Sequence, residues 1–408
     1  MAKQEEIYVG LDIGSFKISS VVGMVNEEGT LDVIGLGTSF TTGVRKGLVN
    51  EIEETVSGIS ESMEIAERMA GIQLDSATVN INGSHIGSMT SKGVVAVGKA
   101  NQEVTYEDTI RVEEAAQAIQ VPTNKEILHI IPRIYSVDGQ EGVKDPVGMT
   151  GIRLEGEVQI IAVSQPAVKN LQKSVSQAGI AIEDIIAGPL AASKAVASKR
   201  EKELGCVVLD IGASTTGIIV YEDEKPLYTS VLPIGAMHIT NDIAIGLRTS
   251  IDVAEKVKIK YGTSLAKSVA EKEKIDLSEI DINEDGIIPR KHVAEIIEAR
   301  LHEMFMLIKG ELRKINRDGQ LPGGAILTGG GAKLEDIDSV AKSILKLPCI
   351  IGKPHNLKGI VDKIYDPRFS TAVGLMLYQF EEAENSGGSK QVGVAINKIR
   401  KVFKTFLP

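Results

Sequence analysis

One short motif occurs twice in this chain, as Val9-Gly10-Leu11-Asp12-Ile13-Gly14-Ser15 and as Val208-Leu209-Asp210-Ile211-Gly212-Ala213-Ser214, with its aspartates 198 positions apart. Such a repeat predicts two similar half-molecules facing one ligand. Each copy is an apolar, β-branched run ending in Asp, then a Gly-centred turn with hydroxyl residues, then a second apolar run, Ile18 to Val25 or Gly217 to Tyr221. That pattern reads as a strand, a tight turn and a returning strand. Glycine lets the backbone N–H groups of the turn (Gly14, Gly212 and the neighbouring Ala213) approach a phosphate closely. Ser15, Lys17, Ser214, Thr215 and Thr216 add donors at the same place. A carboxylate at the strand end, Asp12 or Asp210, suits a Mg²⁺ ion held against phosphate oxygens, usually through water. A lone Asp-Ile-Gly is an ordinary strand-to-turn ending, and it is the second copy that argues against that reading.

A third glycine run, Ile326-Leu327-Thr328-Gly329-Gly330-Gly331-Ala332, follows an apolar strand and precedes Lys333-Leu334-Glu335-Asp336, where a helix is expected to start. Consecutive glycines at a strand-to-helix turn leave the space that a flat base or ribose needs, and the helix N-terminus adds partial positive charge.

Two phosphate hairpins followed by a glycine-rich loop for adenosine resemble the actin-like ATPase superfamily. Gly188-Pro189-Leu190-Ala191-Ala192-Ser193 looks like its first hinge helix, and Ser370-Thr371-Ala372-Val373-Gly374-Leu375 like its second. Ala254-Glu255-Lys256-Val257-Lys258 is similar to the helix from which a Glu and a Lys, here Glu255 and Lys258, reach the nucleoside. The resemblance implies an α/β fold of two lobes, each built on a mixed β-sheet with flanking helices, and ATP with Mg in the cleft between them.

Within the superfamily the chain resembles the FtsA family of bacterial division proteins over nearly its whole length. The residues that carry this are Asn80-Ile81-Asn82-Gly83-Ser84-His85, Asp145-Pro146-Val147-Gly148-Met149-Thr150-Gly151 and Leu232-Pro233-Ile234-Gly235-Ala236-Met237-His238-Ile239-Thr240. The last departs from the family's usual Gly-Gly pair, with Ala236 second. This resemblance implies an adaptor that polymerises and tethers FtsZ filaments to the cytoplasmic membrane at the division site. Its partners would be the FtsZ C-terminal peptide, further copies of itself and other division proteins. In such proteins the helical part of the second lobe holds the FtsZ peptide, and Arg300 is the candidate contact, since a guanidinium takes an acidic side chain bidentately. An exposed Arg with no partner is the alternative.

With 408 residues, 43% hydrophobic and 25% charged, the chain can build two cores. The first lobe is expected over 1–198 with an inserted subdomain at about 80–162. The second lobe is expected over 199–361 with a helical subdomain at about 240–315, followed by a return helix over 362–382. Arg290 to Lys314 carries an apolar stripe at helical spacing. Cys206 and Cys349 lack CxxC or Cys/His ligand spacing and read as structural thiols. A net charge of −10 disfavours nucleic acid as a partner.

Only the end of the chain reverses that sign. A polar linker at 383–391 precedes a stretch, 392–408, in which Ile399, Val402, Phe403 and Phe406 recur at helical spacing beside Lys398, Arg400, Lys401 and Lys404. Basic and apolar faces together predict a helix lying on anionic membrane lipid, each basic residue worth about 1 kcal/mol there. The competing reading docks the same helix on protein.

Turnover of the nucleotide is a separate matter. Related heat-shock chaperone ATPases carry a Glu just before the Pro of the first hinge helix, and here that position is Gly188. The chain is therefore expected to be at most a slow ATPase, with Gln165 as a substitute for the missing side chain. Two alternatives share the fold: a phosphotransferase, which needs a carboxylate base and no basic tail, and a pilus-assembly protein.

Overall fold

A computed structural model describes residues 6–387 apart from 27, 119, 120, 283 and 360. The first half of the chain builds a six-stranded sheet around the antiparallel strands Ile7–Ile13, Lys17–Val25 and Leu31–Phe40. Parallel strands Ser76–Ile81 and Ala181–Ala187 extend one edge, and Lys358–Gly359 pairs parallel with Leu31–Phe40 on the other. Val9, Leu11, Val21 and Val22 are all buried on adjoining positions, as expected of a sheet covered on both faces. Helix Ile52–Ala70 packs on one face and ends at Gly71 with φ 74°, a left-handed stop that glycine adopts without strain. Helices Gly188–Val196 and Ser370–Gly387 pack against each other so closely that a Cβ on Gly374 would lie 1.8 Å from Ala191 O.

The second half repeats the plan. Strands Cys206–Ile211, Thr216–Glu222 and Lys225–Leu232 run antiparallel, with Ala325–Thr328 and Cys349–Ile351 added in parallel. The duplication extends to register: Asp12 lies opposite Ser19 and Asp210 opposite Gly217, so the same offset holds on both arms of both hairpins. Helices Ala236–Leu247, Ile251–Tyr261 and Arg290–Lys314 follow. The longest buries Val293, Ile297, Leu301, Met304, Phe305, Ile308 and Leu312, a three-and-four spacing that puts one stripe into the core.

Between the two halves, strands Gly87–Ala96, Lys125–Val137, Gln140–Val143 and Arg153–Ser164 carry helix Tyr106–Ala116 across one face, closing a small core of Val104, Val112, Tyr135 and Leu154. A single ladder pair, Ser230 with Gly87, joins this insert to the second sheet, making nine strands in all. Nothing in the local pattern of either strand announces that junction.

Three boundaries differ from expectation. The chain rejoins the first sheet at Lys358–Gly359, before the expected return at 362. The helix expected to begin at Lys333 begins at Ile337, because the glycine run itself winds into the 3₁₀ turn Gly330–Lys333. Helix Ser370–Gly387 occupies the first part of the expected linker. The rest of that linker and the amphipathic stretch 392–408, with Ile399, Val402, Phe403 and Phe406 and its four basic residues, lie outside the described residues. Among the described residues no helix is long and apolar enough to cross a membrane.

Candidate functional site

The two hairpins close in the same way. Gly14 N donates to Lys17 O at 3.1 Å, and Gly212 N donates to Thr215 O at 2.9 Å. Those glycine N–H groups belong to the turns themselves and are not free donors for a ligand. Ser15 Oγ accepts from Gly47 N at 2.9 Å. Thr216 Oγ1 is fully buried and donates to Ile234 O at 2.7 Å, so this hydroxyl is structural, in contrast to its expected role as a phosphate donor. Ser214 is the opposite case: its Oγ is buried and has no hydrogen-bond partner among the described residues. A buried hydroxyl left unpaired costs about 1–3 kcal/mol unless a ligand supplies the partner.

Asp12 and Asp210 end their strands inside the cleft. Asp12 accepts from Asn80 Nδ2 at 2.6 Å, and Asn80 Oδ1 in turn accepts from Ile13 N at 2.7 Å. Asp210 accepts from Thr371 Oγ1 at 3.1 Å. Burial pushes the Asp12 carboxyl up, and the charge of Asp210 pushes it further, against the opposing pull of Lys17 and Asn80. Burial also raises Asp210, to about 6, with Thr371 and Lys17 opposing. Lys17 is displaced downward by the same burial, although Asp12 favours its charged form. Its Nζ donates to Arg368 O at 3.1 Å and lies 4.1 Å from the centre of the Phe369 ring. Two half-buried carboxyls and a half-buried lysine, each pushed toward its neutral form by desolvation, are together what a divalent cation carried on a polyphosphate would satisfy.

The third glycine run completes the wall on the second-lobe side. Gly329 has φ 83°, and a Cβ on it would come within 2.5 Å of Asp210 Oδ1, so only glycine fits there. A Cβ on Gly331 would meet Ile211 and Ala236, while Gly330 faces open space and Ala332 is buried. Across from this loop, Lys258 Nζ pairs with Glu255 Oε2 at 2.6 Å and donates to Thr240 Oγ1 at 2.8 Å and to Ala236 O at 3.3 Å. Helix Ile251–Tyr261 thus places both expected nucleoside residues on the face that meets Ala236, whose own N–H donates to Gly212 O at 2.9 Å. A cavity of about 850 Å³ lies beside the loop, between Leu36 of the first lobe, Ala332 and Lys333 of the second, and Tyr365, Arg368 and Phe369 of the connecting segment. Through Arg368 and Phe369 it adjoins Lys17 of the first hairpin, and neither aspartate lines it.

Arg300, the candidate peptide contact, is not the exposed, partnerless side chain of the alternative reading. Its Nε and Nη2 grip Asp242 at 2.5 and 2.9 Å, and its Nη1 lies 2.6 Å from Glu303, leaving the side chain 22% exposed. Gln165 heads helix Gln165–Gln177, and among the described residues no hydrogen bond joins its side chain to the hairpins. Sequence reasoning missed Asn80 and Thr371 as partners of the aspartates. Asn80 stood inside a quoted block, one residue before its strand ends, and that position was the available signal.

This fold and cleft define an actin-like protein, and solved structures agree on the fold. The PilM–PilN type IV pilus biogenesis complex matches with a TM-score of 0.65 at 19% identity, over 91% of this chain and 98% of that one. MreB5 of Spiroplasma citri bound to AMPPNP matches with a TM-score of 0.55 at 14% identity, over 93% and 98%. The family profile for the cell division protein FtsA matches residues 207–374, and that for the SHS2 domain inserted in FtsA matches residues 83–162. The cell division protein FtsA of Pseudomonas aeruginosa is 38% identical over 95% of this chain and 92% of its own length. That of Borreliella burgdorferi is 39% identical over 97% and 94%, and that of Bacillus subtilis 38% over 97% and 89%. The chain belongs to the FtsA family of cell division proteins.

Proposed function

We propose that this chain binds ATP with Mg²⁺, assembles with copies of itself, and tethers FtsZ filaments to the cytoplasmic membrane at the division site. The observation that supports nucleotide binding best is the half-buried trio Asp12, Asp210 and Lys17 on the two matched hairpins, each displaced away from its charged form chiefly by desolvation. Asp12 and Asp210 would hold the metal. Lys17, Ser15, Ser214, Thr215 and the tips of the two turns would receive the phosphates. Gly329 to Ala332, with Glu255 and Lys258, would hold the nucleoside. The bound metal neutralises phosphate charge, and the chain's own residues bind, orient and enclose. With no side chain at Gly188, hydrolysis is slow, and ATP acts mainly as a conformational or polymerisation switch.

The membrane part of this reading rests on the sequence of 392–408, where two phenylalanines, an isoleucine and a valine recur at helical spacing among four basic residues. Polymerised copies would bind lipid collectively, because each attached subunit raises the local concentration of the next tail. For FtsZ, Arg300 is the contact, and its pairing with Asp242 means that an acidic peptide must compete with a carboxylate of the chain itself.

Two measurements test the whole. ATP affinity with Mg²⁺ should fall at least tenfold in Asp12→Ala or Asp210→Ala; equal affinity in both variants removes the nucleotide site from this cleft. Co-sedimentation with anionic vesicles should be seen for the intact chain and lost in one ending at Ser389. If neither pellets, the tail docks on protein.

A further inference from the structure

Asn82 follows the strand Ser76–Ile81, two positions past Asn80. Side chains two apart on an extended segment share a face, and Asn80 uses that face to reach Asp12. Asn82 lies one step further, at the C-terminal end of a strand parallel to Ile7–Ile13, which is the end at which α/β sheets receive ligands. Its carboxamide is held in place, since Oδ1 accepts from Gly83 N at 2.9 Å.

The other end of that carboxamide sits where a neighbour has no side chain. A Cβ on Gly188 would fall 3.1 Å from Asn82 Nδ2 and 3.3 Å from its Cγ. Asn82 therefore fills the space that a residue-188 side chain would take. Both hairpins connect to this spot through neighbouring residues. Gly47, whose N–H is donated to Ser15 Oγ, lies so close to Gly83 that a Cβ on it would be 2.6 Å from Gly83 N. Pro189, next to Gly188, packs on Gly217 of the second hairpin, where a Cβ would be 2.7 Å from the Pro189 ring. Asn82 is half-buried, and among the described residues no group accepts its Nδ2 hydrogens. A small cavity of about 10 Å³, at the lower limit for one water molecule, borders Asn80 and Asn82 and is otherwise lined by Gly47 and apolar side chains such as Ile13, Val44, Val49 and Leu171.

We infer that Asn82 positions the water that attacks the γ-phosphate of bound ATP, an inference that rests on the nucleotide reading above. The second lone pair of Oδ1 accepts an O–H of that water and so fixes where its oxygen sits. The water oxygen bonds to the γ-phosphorus, and the bond to the bridging oxygen breaks with its electron pair leaving on ADP. The water's proton ends on the released phosphate. An amide takes no proton, so Asn82 orients without acting as a base, and turnover remains slow.

The test uses the full chain with Mg²⁺ and ATP, reading affinity and single-turnover hydrolysis separately. Asn82→Ala should lower hydrolysis by about tenfold to a hundredfold while leaving ATP affinity within about twofold. Adding Gly188→Gln to Asn82→Ala places a longer amide into the vacated space and should recover part of the rate. Asn82→Ser, which keeps an acceptor for Gly83 N, is read in parallel and should show the same loss should the alanine variant fail to fold. Wild-type hydrolysis in the variants, or a wild-type chain that binds ATP without hydrolysing it, overturns the inference. A wild-type chain that binds no ATP overturns the nucleotide reading as well, and the affinity measurement tells the two failures apart.

Discussion

Ser88 of the insert and Thr229 of the second lobe exchange two hydrogen bonds: Thr229 N donates to Ser88 Oγ at 2.7 Å, and Ser88 Oγ donates to Thr229 O at 2.9 Å. At the end of the neighbouring strand, Glu222 of the second lobe accepts from Arg317 at 2.8 and 3.0 Å and lies 3.8 Å from Arg133 of the insert. The insert is continuous in sequence with the first half of the chain, yet it is bonded to the second.

Removing that exchange should loosen the junction measurably. Ser88→Ala leaves the Thr229 N–H without its acceptor, so a loss of about 1–2 kcal/mol in unfolding free energy is expected. Hydrogen exchange at Thr229 should accelerate with it. Unchanged exchange there would mean that the pair is not made in solution.

Asp108 gives a pH dependence whose sign is fixed. Burial opposes its charge, but the N–H groups of Thr105 and Gly98, the Thr105 hydroxyl and the Arg111 guanidinium outweigh burial and hold the carboxyl at about 2. A carboxyl held below its unfolded value stabilises the fold above about pH 4, and that contribution disappears as pH falls toward 2. Asp108→Asn should therefore cost about 1–2 kcal/mol at pH 7, and the gap to wild type should narrow below pH 4 in urea unfolding curves. A gap that stays constant with pH would count against this.

Both thiols should be inert. Burial pushes Cys206 and Cys349 up to about 12, so at pH 8 almost no thiolate forms. Iodoacetamide should modify neither residue in the native protein and both in denaturant, as read by mass spectrometry. Rapid native labelling of either one would show that its strand opens.

The grip of Arg300 on Asp242 sets up an experiment of opposite signs. If an acidic FtsZ peptide uses Arg300, Asp242→Ala frees the guanidinium and should tighten peptide binding several-fold, while Arg300→Ala weakens it by about tenfold. Equal affinity in both variants, measured by fluorescence anisotropy, dismisses Arg300 as the contact.

Chemistry written within a few residues was legible in the sequence. The hairpins at Asp12 and Asp210 and the helix Arg290–Lys314 follow from glycine turns and periodicity that no distant contact overrides. What stayed hidden depends on partners far along the chain. Asn80 reaches Asp12 across 68 positions, Thr371 reaches Asp210 across 161, and Arg300 finds Asp242 across 58. The side chains themselves give no sign of these pairings, because hydrogen-bond partners are chosen by the folded geometry. Thr216 shows the same limit from the other side: its type fitted a phosphate donor, and the carbonyl of Ile234 took the hydrogen. The strand pairing of Gly87 with Ser230 has no periodic signature, since one ladder pair constrains neither sequence.

The helix Ser370–Gly387 begins at the cleft, where Thr371 touches Asp210, and is fastened along its length to the first sheet. Gln379 Oε1 accepts from Val9 N at 2.8 Å, Phe380 meets Tyr8 edge-on at 5.5 Å, and Glu381 pairs with Lys194. Its 18 residues form a stiff arm about 27 Å long. Held at Tyr8, Val9 and Lys194, the arm belongs with the first sheet as one body, and Thr371 is the point at which that body touches a carboxylate of the second lobe.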